Sequence, residues 1–232
     1  MIKKLSLFFP FYNEEKLVEK SIRTAFEVLP KLNLEEFEVI AVNNASKDAT
    51  GEILEKLKNE YDSLRVIHQD PPPGYGKALK GGFYNTRYPW IFFTDGDLQF
   101  DLNELSKLLP QSNNADLIIG YRIKRAEGGT RLVYQKLFGF IIQIVFSLKV
   151  SDVDCAFKLI KKEVIDTIPT LQSDGAMISA ELLIKAKRAG FKIVEVPVYH
   201  FPDSAGGSTG GSLKVIWKAG KELIALWHKL RQ

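Results

Sequence analysis

Short apolar runs alternate along this chain with segments whose hydrophobic residues recur every three or four positions, and the alternation starts at the first residues. Runs of that kind, bounded by turn residues, predict buried strands at 5–9, 37–42, 64–68, 91–94, near 115–120 and at 191–198. Between the first two, Asn13 reads as an N-cap with Glu14 and Glu15 at the positive end of a helix, and Val18, Ile22, Ala25, Phe26 and Leu29 give that helix one apolar face. A second helix turns Ile53, Leu54, Leu57 and Tyr61 inward. A third follows the break at Pro71-Pro72-Pro73-Gly74 and runs through Ala78, Leu79, Gly82 and Phe83. Another is expected from about 176 to 189. Strand, turn and helix repeating at this spacing predict an α/β fold: a mostly parallel, Rossmann-like sheet with helices on both faces.

Two later segments follow a different pattern. In 132–150 the polar positions around Arg131, Gln135, Gly139, Gln143 and Ser147 recur every fourth residue, so most of a helix there is apolar. At about 1.5 Å per residue it nearly reaches bilayer thickness, but Lys136 and Gln143 interrupt it. A helix lying in a membrane interface is the expectation, with a core or homodimer element as the alternative. From 213 to 231, Leu213, Ile216, Trp217, Leu223, Ile224, Trp227 and Leu230 face one way, while Lys214, Lys218, Lys221, Lys229 and Arg231 lie elsewhere. Such a basic amphipathic C-terminal helix suits a membrane surface or docks on its own domain. The Gly- and Ser-rich loop 200–211 reads as a flap.

Composition narrows the classes. The 232 residues, 45% hydrophobic and 26% charged, suffice for one domain over 1–232 with a sizeable core. A net charge of +4 and a pI near 8.9 suit phosphate-bearing substrates or an anionic membrane, and are too weak to imply nucleic acid. A single cysteine, Cys155, excludes an internal disulfide framework and fits a reducing compartment. The first ten residues read as a strand rather than a signal peptide, because the apolar run is short and no small-residue cleavage site follows.

The chemistry concentrates at Ile91-Phe92-Phe93-Thr94-Asp95-Gly96-Asp97-Leu98-Gln99, a buried strand ending in two carboxylates. Ligands of open α/β sheets gather at that end of the strands. Gly96 is expected to turn the backbone tightly, so that Asp95 and Asp97 share one crevice. With Gln99 nearby, oxygen ligands of this kind suit Mg²⁺ or Mn²⁺, and a solvated acidic turn is the alternative.

Six pieces in order then resemble the family 2 glycosyltransferases of the GT-A type, and among them the dolichyl- or polyprenyl-phosphate sugar transferases. They are Pro10-Phe11-Tyr12-Asn13-Glu14, Val42-Asn43-Asn44-Ala45-Ser46-Lys47-Asp48, Gly74-Tyr75-Gly76-Lys77-Ala78, Asp95-Gly96-Asp97-Leu98-Gln99, Gly120-Tyr121-Arg122 and Asp152-Val153-Asp154-Cys155-Ala156-Phe157-Lys158. The resemblance implies a nucleotide-sugar-binding half, 1–121, and an acceptor half, 122–232. It implies that Pro10, Tyr12 and Glu14 line the base and ribose pocket, that Asn43 reads the base, and that Lys77 and Asp95 join the donor site. Asp95, Asp97 and Gln99 would hold the metal, and Arg122 and Arg131 would act with Asp97 on the diphosphate and the acceptor phosphate. It further implies a hexosyltransferase using a UDP- or GDP-linked sugar and a polyprenyl phosphate, peripheral on the cytoplasmic face of a membrane.

A phosphate acceptor is already anionic and needs no general base. Asp174 and Glu181 are the only base candidates in the acceptor half, with Glu181 reading as structural and His200 as a packed loop histidine. Two departures stand out: Asn43 and Asn44 replace acidic residues of many relatives, and Asp203 sits where an arginine is common. Either Lys161, Lys162 or another base substitutes for that cation, or activity is low. Rival readings are a family 2 enzyme with a soluble or glycan acceptor and a non-catalytic nucleotide or lipid-phosphate binding module.

Overall fold

The computed structural model describes residues 2–123, 146 and 148–202. Arg131, Asp203, the helix expected at 213–231 and nearly all of that expected at 132–150 lie outside the described residues; 148–150, the end of the latter, is irregular chain. Seven strands form one sheet: β1 (Lys4–Phe11), β2 (Glu36–Asn43), β3 (Leu64–His68), β4 (Trp90–Thr94), β5 (Leu117–Arg122), β6 (Phe157–Lys161) and β7 (Ile193–Val198), in the order β3-β2-β1-β4-β6-β5-β7. Around it lie α1 (Val18–Val28), α2 (Thr50–Lys58), α3 (Tyr75–Phe83), the short α4 (Leu105–Leu108) and α5 (Lys162–Thr167), and α6 (Ile178–Arg188).

The first half is a parallel wind. Strand β1 pairs with β2 on one side and β4 on the other, and β2 pairs with β3, all parallel. Helices α1 and α2 both carry the chain outward from β1 and pack on each other, whereas α3 returns it across β2 and β1 to β4. Right-handed crossovers therefore put α3 on the opposite face. There Phe8 of β1 is wedged between Phe83 at 5.0 Å and Phe93 at 5.3 Å.

One strand lies outside the expected elements of the mostly parallel sheet, and two expectations need correcting. Strand β6 interrupts the parallel pattern: it runs antiparallel between β4 and β5, while β7 closes the edge parallel to β5. The sequence hides β6 because its second residue is Lys158, fully buried, with Nζ donating to the carbonyls of Val153, at 3.1 Å, and Cys155. Helix α1 begins at Val18, not beside Asn13. Asn13 takes a left-handed φ of 56° and its side chain accepts from the Lys47 N–H at 2.8 Å, so it ties two loops together instead of capping a helix. Lys161 and Lys162 cannot replace an arginine near the acidic turn. Lys161 lies opposite Trp90, at the start of β4, and pairs with Asp116 at 2.6 Å; Lys162 pairs with Asp166 at 2.7 Å. Five residues of strand, roughly 16 Å, separate Trp90 from Asp95.

The close approach of α3 to β1 sets a packing limit. A Cβ at Gly82 would lie 2.3 Å from the Phe8 ring, and that ring is held between Phe83 and Phe93. Gly82→Ala should therefore destabilise the fold by about 1–3 kcal/mol, despite the better helix propensity of Ala. Urea unfolding checks it, and an unchanged midpoint would show that the ring is free to move.

Candidate active site

At the carboxyl ends of β1, β2 and β4, where the strand order reverses direction, the chain leaves a cavity of about 420 Å³. Pro10, Phe11, Tyr12 and Glu14 reach it from β1 and the turn after it, and Asn44 from the end of β2. Pro73, Gly74 and Tyr75 enter from the start of α3, and Asp95, Gly96 and Asp97 from the end of β4. A crevice outside a switch point is where an open α/β sheet takes its ligand.

The acidic turn is fixed from below. A Cβ on Gly96 would lie 2.1 Å from the Phe11 ring, and the Gly96 carbonyl accepts from Ser21 Oγ at 2.7 Å. Gly96 is thus required for close approach. The left-handed conformation expected of it falls instead to Leu98, at φ 60°. Across Leu98 the Gln99 N–H donates to Asp97 Oδ1 at 3.0 Å.

Asp95 accepts from the Tyr75 hydroxyl at 3.1 Å. Desolvation, together with the neighbouring charge of Asp97, pushes its carboxyl up to about 7, against the pull of the Tyr75 hydrogen bond, Lys158 and Arg122. Two hard carboxylates that repel each other in a crevice fit a divalent cation such as Mg²⁺ or Mn²⁺, for which Asp95 and Asp97 would be the protein ligands. Among the described residues no cluster of three or more His, Cys, Asp or Glu gathers to hold a metal.

The remaining expected site residues divide. Pro10, Tyr12 and Glu14 line the cavity with the carboxylates. Asn43 does not: it is buried beside the cavity, with Nδ2 against His68 Nδ1 at 3.0 Å and Oδ1 accepting from the Ser46 N–H. Its neighbour Asn44 lines the wall and accepts from the Gly74 N–H at 3.0 Å. Lys77 turns its Nζ to the Asp70 carbonyl, away from the lining. Gln99 is drawn to the chain after β7: its Nε2 donates to the Phe201 carbonyl at 3.2 Å, and its own carbonyl accepts from the Phe201 N–H at 2.8 Å.

Arg122 forms a bidentate pair with Asp152, at 2.7 and 2.8 Å, with both side chains at most 10% exposed. Asp152 raises the guanidinium further above its ordinary value despite burial, so the charge is permanent. Of the base candidates, Asp174 is exposed and pairs with Lys80 at 2.6 Å, and Glu181 is buried against Lys185 at 2.6 Å. His200 is buried with its ring on Phe100, as a packed loop histidine should be. The sequence reading passed over Tyr75 and the buried ammonium of Lys158. A Gly-aromatic-Gly turn entering a helix was the only visible signal for Tyr75.

The raised Asp95 carboxyl has a definite sign. Its neutral form is favoured in the metal-free fold, so metal-free stability falls as pH rises between about 4 and about 7. A divalent cation must displace that proton. Affinity for Mn²⁺ should rise about tenfold per pH unit up to about 7 and level off above it, with proton release at the lower pH values. Calorimetry in two buffers of different protonation heat reads both quantities; an affinity indifferent to pH would mean that Asp95 is ionised throughout.

Comparison with known proteins now bears on this geometry. Residues 6–169 match the family described as Glycosyl transferase family 2. Glycosyltransferase AglD of Haloferax volcanii is 27% identical over 98% of this chain, which spans 37% of AglD. The dolichyl-phosphate beta-glucosyltransferase ALG5A of Trichomonas vaginalis is 26% identical over 97% of the chain and 74% of its own length. For the undecaprenyl-phosphate 4-deoxy-4-formamido-L-arabinose transferase of Salmonella choleraesuis the figures are 27%, 93% and 65%. Among solved structures, glucosyl-3-phosphoglycerate synthase from Mycobacterium tuberculosis, in complex with Mn²⁺, uridine diphosphate and phosphoglyceric acid, superposes with a TM-score of 0.72 at 18% identity, over 97% of this chain and 78% of that one. That likeness shows a shared fold, of the GT-A type. The matched segment covers well over half of the sequence, and the chain belongs to glycosyl transferase family 2.

Proposed function

We propose that this chain is a metal-dependent inverting glycosyltransferase that moves a hexose from a nucleoside-diphosphate sugar to a polyprenyl phosphate, working peripherally on the cytoplasmic face of a membrane. The observation that carries the reading is the carboxylate pair Asp95 and Asp97 in a crevice whose wall includes Pro10, Phe11, Tyr12, Glu14 and Asn44. A nucleoside fits the apolar and amide wall, and its diphosphate belongs at the acidic turn. There Mg²⁺ or Mn²⁺ would neutralise the departing nucleoside diphosphate. A synthase of the same fold from M. tuberculosis was crystallised with Mn²⁺ and uridine diphosphate, which supports a divalent metal and a nucleoside diphosphate here.

The protein's own part is orientation. Asp95 and Asp97 fix the diphosphate end, Tyr12 and Glu14 the base and ribose, and Asn44 ties the β2 end to Gly74. Attack from the face of the sugar opposite the leaving group inverts the anomeric centre, so an α-linked donor gives a β-linked product. A phosphate acceptor is ionised at neutral pH and needs no proton removed. Asp174 and Glu181, paired with Lys80 and Lys185, are placed as structural groups, which suits such an acceptor. Two relatives are named for dolichyl-phosphate or undecaprenyl-phosphate substrates, which supports a lipid phosphate here. Arg131 is proposed for the acceptor phosphate; Arg122 would contribute through its fixed charge, because its fork is already closed on Asp152. No helix among the described residues is long and apolar enough to cross a membrane. The membrane contact is assigned to the apolar stretch 132–150 and the basic stretch 213–231.

A soluble phosphorylated acceptor is the second reading, favoured by the fold shared with a synthase crystallised with phosphoglyceric acid. Calorimetric titration of uridine and guanosine diphosphates, with and without Mn²⁺, tests the donor site. One nucleotide should bind in a metal-dependent manner, and Asp97→Asn should remove that metal-dependent gain by roughly 100-fold or more. Absence of binding to folded protein would favour a non-catalytic module. Flotation with anionic vesicles tests the acceptor: wild type should bind, Phe140→Asp combined with Ile141→Asp should abolish the binding in folded protein, and a wild type that does not float would favour the soluble acceptor.

A further inference from the structure

We propose that Tyr75 is a positioning residue of the donor site, its phenol fixing which oxygen of Asp95 is presented to a divalent cation. This rests on the metal-dependent reading above and adds a group to it. The Tyr75 hydroxyl donates to Asp95 Oδ1 at 3.1 Å, and both residues line the cavity. A carboxylate held through one oxygen has its plane and rotamer set, which leaves Oδ2 for the metal.

The position of Tyr75 is itself determined by backbone contacts. It is the first residue of α3, between two glycines with no space for a side chain. A Cβ at Gly74 would lie 2.8 Å from the Asp174 carbonyl oxygen, and one at Gly76 2.3 Å from that of Ser173. The Gly74 N–H donates to Asn44 Oδ1 at 3.0 Å and the Gly76 N–H to the Asp174 carbonyl at 2.9 Å. Segment 172–174 is held in turn by Glu181, whose carboxylate accepts from the N–H groups of Gln172 at 2.9 Å and Ser173 at 2.8 Å while paired with Lys185. Helix α6 thus sets a loop, the loop sets the start of α3, and the start of α3 aims a phenol at a metal carboxylate.

Tyr75→Phe removes one oxygen and keeps the ring that packs. The test measures nucleoside diphosphate affinity with and without Mn²⁺ for wild type, Tyr75→Phe and Asp95→Asn, using whichever of the uridine and guanosine forms wild type binds, with thermal melting as the folding control. The metal-dependent gain should fall roughly 10- to 100-fold in Tyr75→Phe, while metal-free affinity and melting temperature stay at wild-type values. The electron paramagnetic resonance spectrum of bound Mn²⁺ should change as well, which loss of packing alone would not produce. An unchanged metal-dependent gain in Tyr75→Phe overturns the proposal. So does a loss confined to metal-free affinity, since the phenol would then touch the nucleotide itself. If wild type shows no metal-dependent gain, the metal reading fails and this one with it.

Discussion

Two carboxylates held two residues apart in a desolvated crevice repel each other, and much of the structure around β4 is arranged about that repulsion. The charges of Arg122 and Lys158, which act on Asp95, do not cancel it. Arg122 is matched by Asp152, and Lys158 is buried on backbone carbonyls and against the Phe93 ring at 5.5 Å. Both pull the Asp95 carboxyl down, yet burial and Asp97 hold it near neutrality. Burial and the charge of Asp97 thus keep Asp95 close to its protonated form in the wall of a cavity of about 420 Å³.

Rigidity around the pair comes from bonds between loops rather than from either loop alone. The turn after β1 and the turn after β2 are joined by the Asn13 N–H on Ser46 Oγ, the Lys47 N–H on Asn13 Oδ1, the Glu14 N–H on Thr50 Oγ1 and the Glu15 N–H on Asp48 Oδ2. Each connection places a left-handed or irregular residue that neither loop would hold by itself. From beneath, Phe11 and Ser21 pin the acidic turn at Gly96. Loops tied to each other in this way are ordered in the absence of ligand, which lowers the ordering cost of binding.

Much of this was legible in the sequence because the first half obeys a local rule. Each parallel strand is an apolar run ended by a turn, and β3 falls at the expected residues. Where the reading failed, tertiary contacts overrode local pattern. Asn13 has the composition of an N-cap but serves another loop. Gly96 looks like a conformational hinge and is in fact a contact with an aromatic ring. Asn43 and Asn44 are adjacent in sequence, and the pocket wall takes the second of them. Tyr75 carries no charge and fits no repeat, so only the three-dimensional proximity of its hydroxyl to Asp95 reveals it. Lys161 and Lys162 misled by their nearness in sequence to the Asp152–Lys158 piece, since an antiparallel strand carries them to the far end of the sheet.

That antiparallel strand also bears on how the earlier and later parts of the chain are joined. A boundary after residue 121 does not divide the sheet, because β6 comes from the later half and inserts between β4 and β5 of the earlier one. Its first residue, Phe157, lies opposite Thr94, the residue just before Asp95, and its second, Lys158, opposite Phe93. The chain entering β6 carries Asp152, which clamps Arg122 at the end of β5. Gln99, two residues past the acidic pair, is bonded in both directions to Phe201 beyond β7. The chain at β5, β6 and β7 is thus joined by hydrogen bonds and strand pairing to the turn that carries the carboxylates: the later half supplies part of the floor on which the earlier half's acidic turn is built.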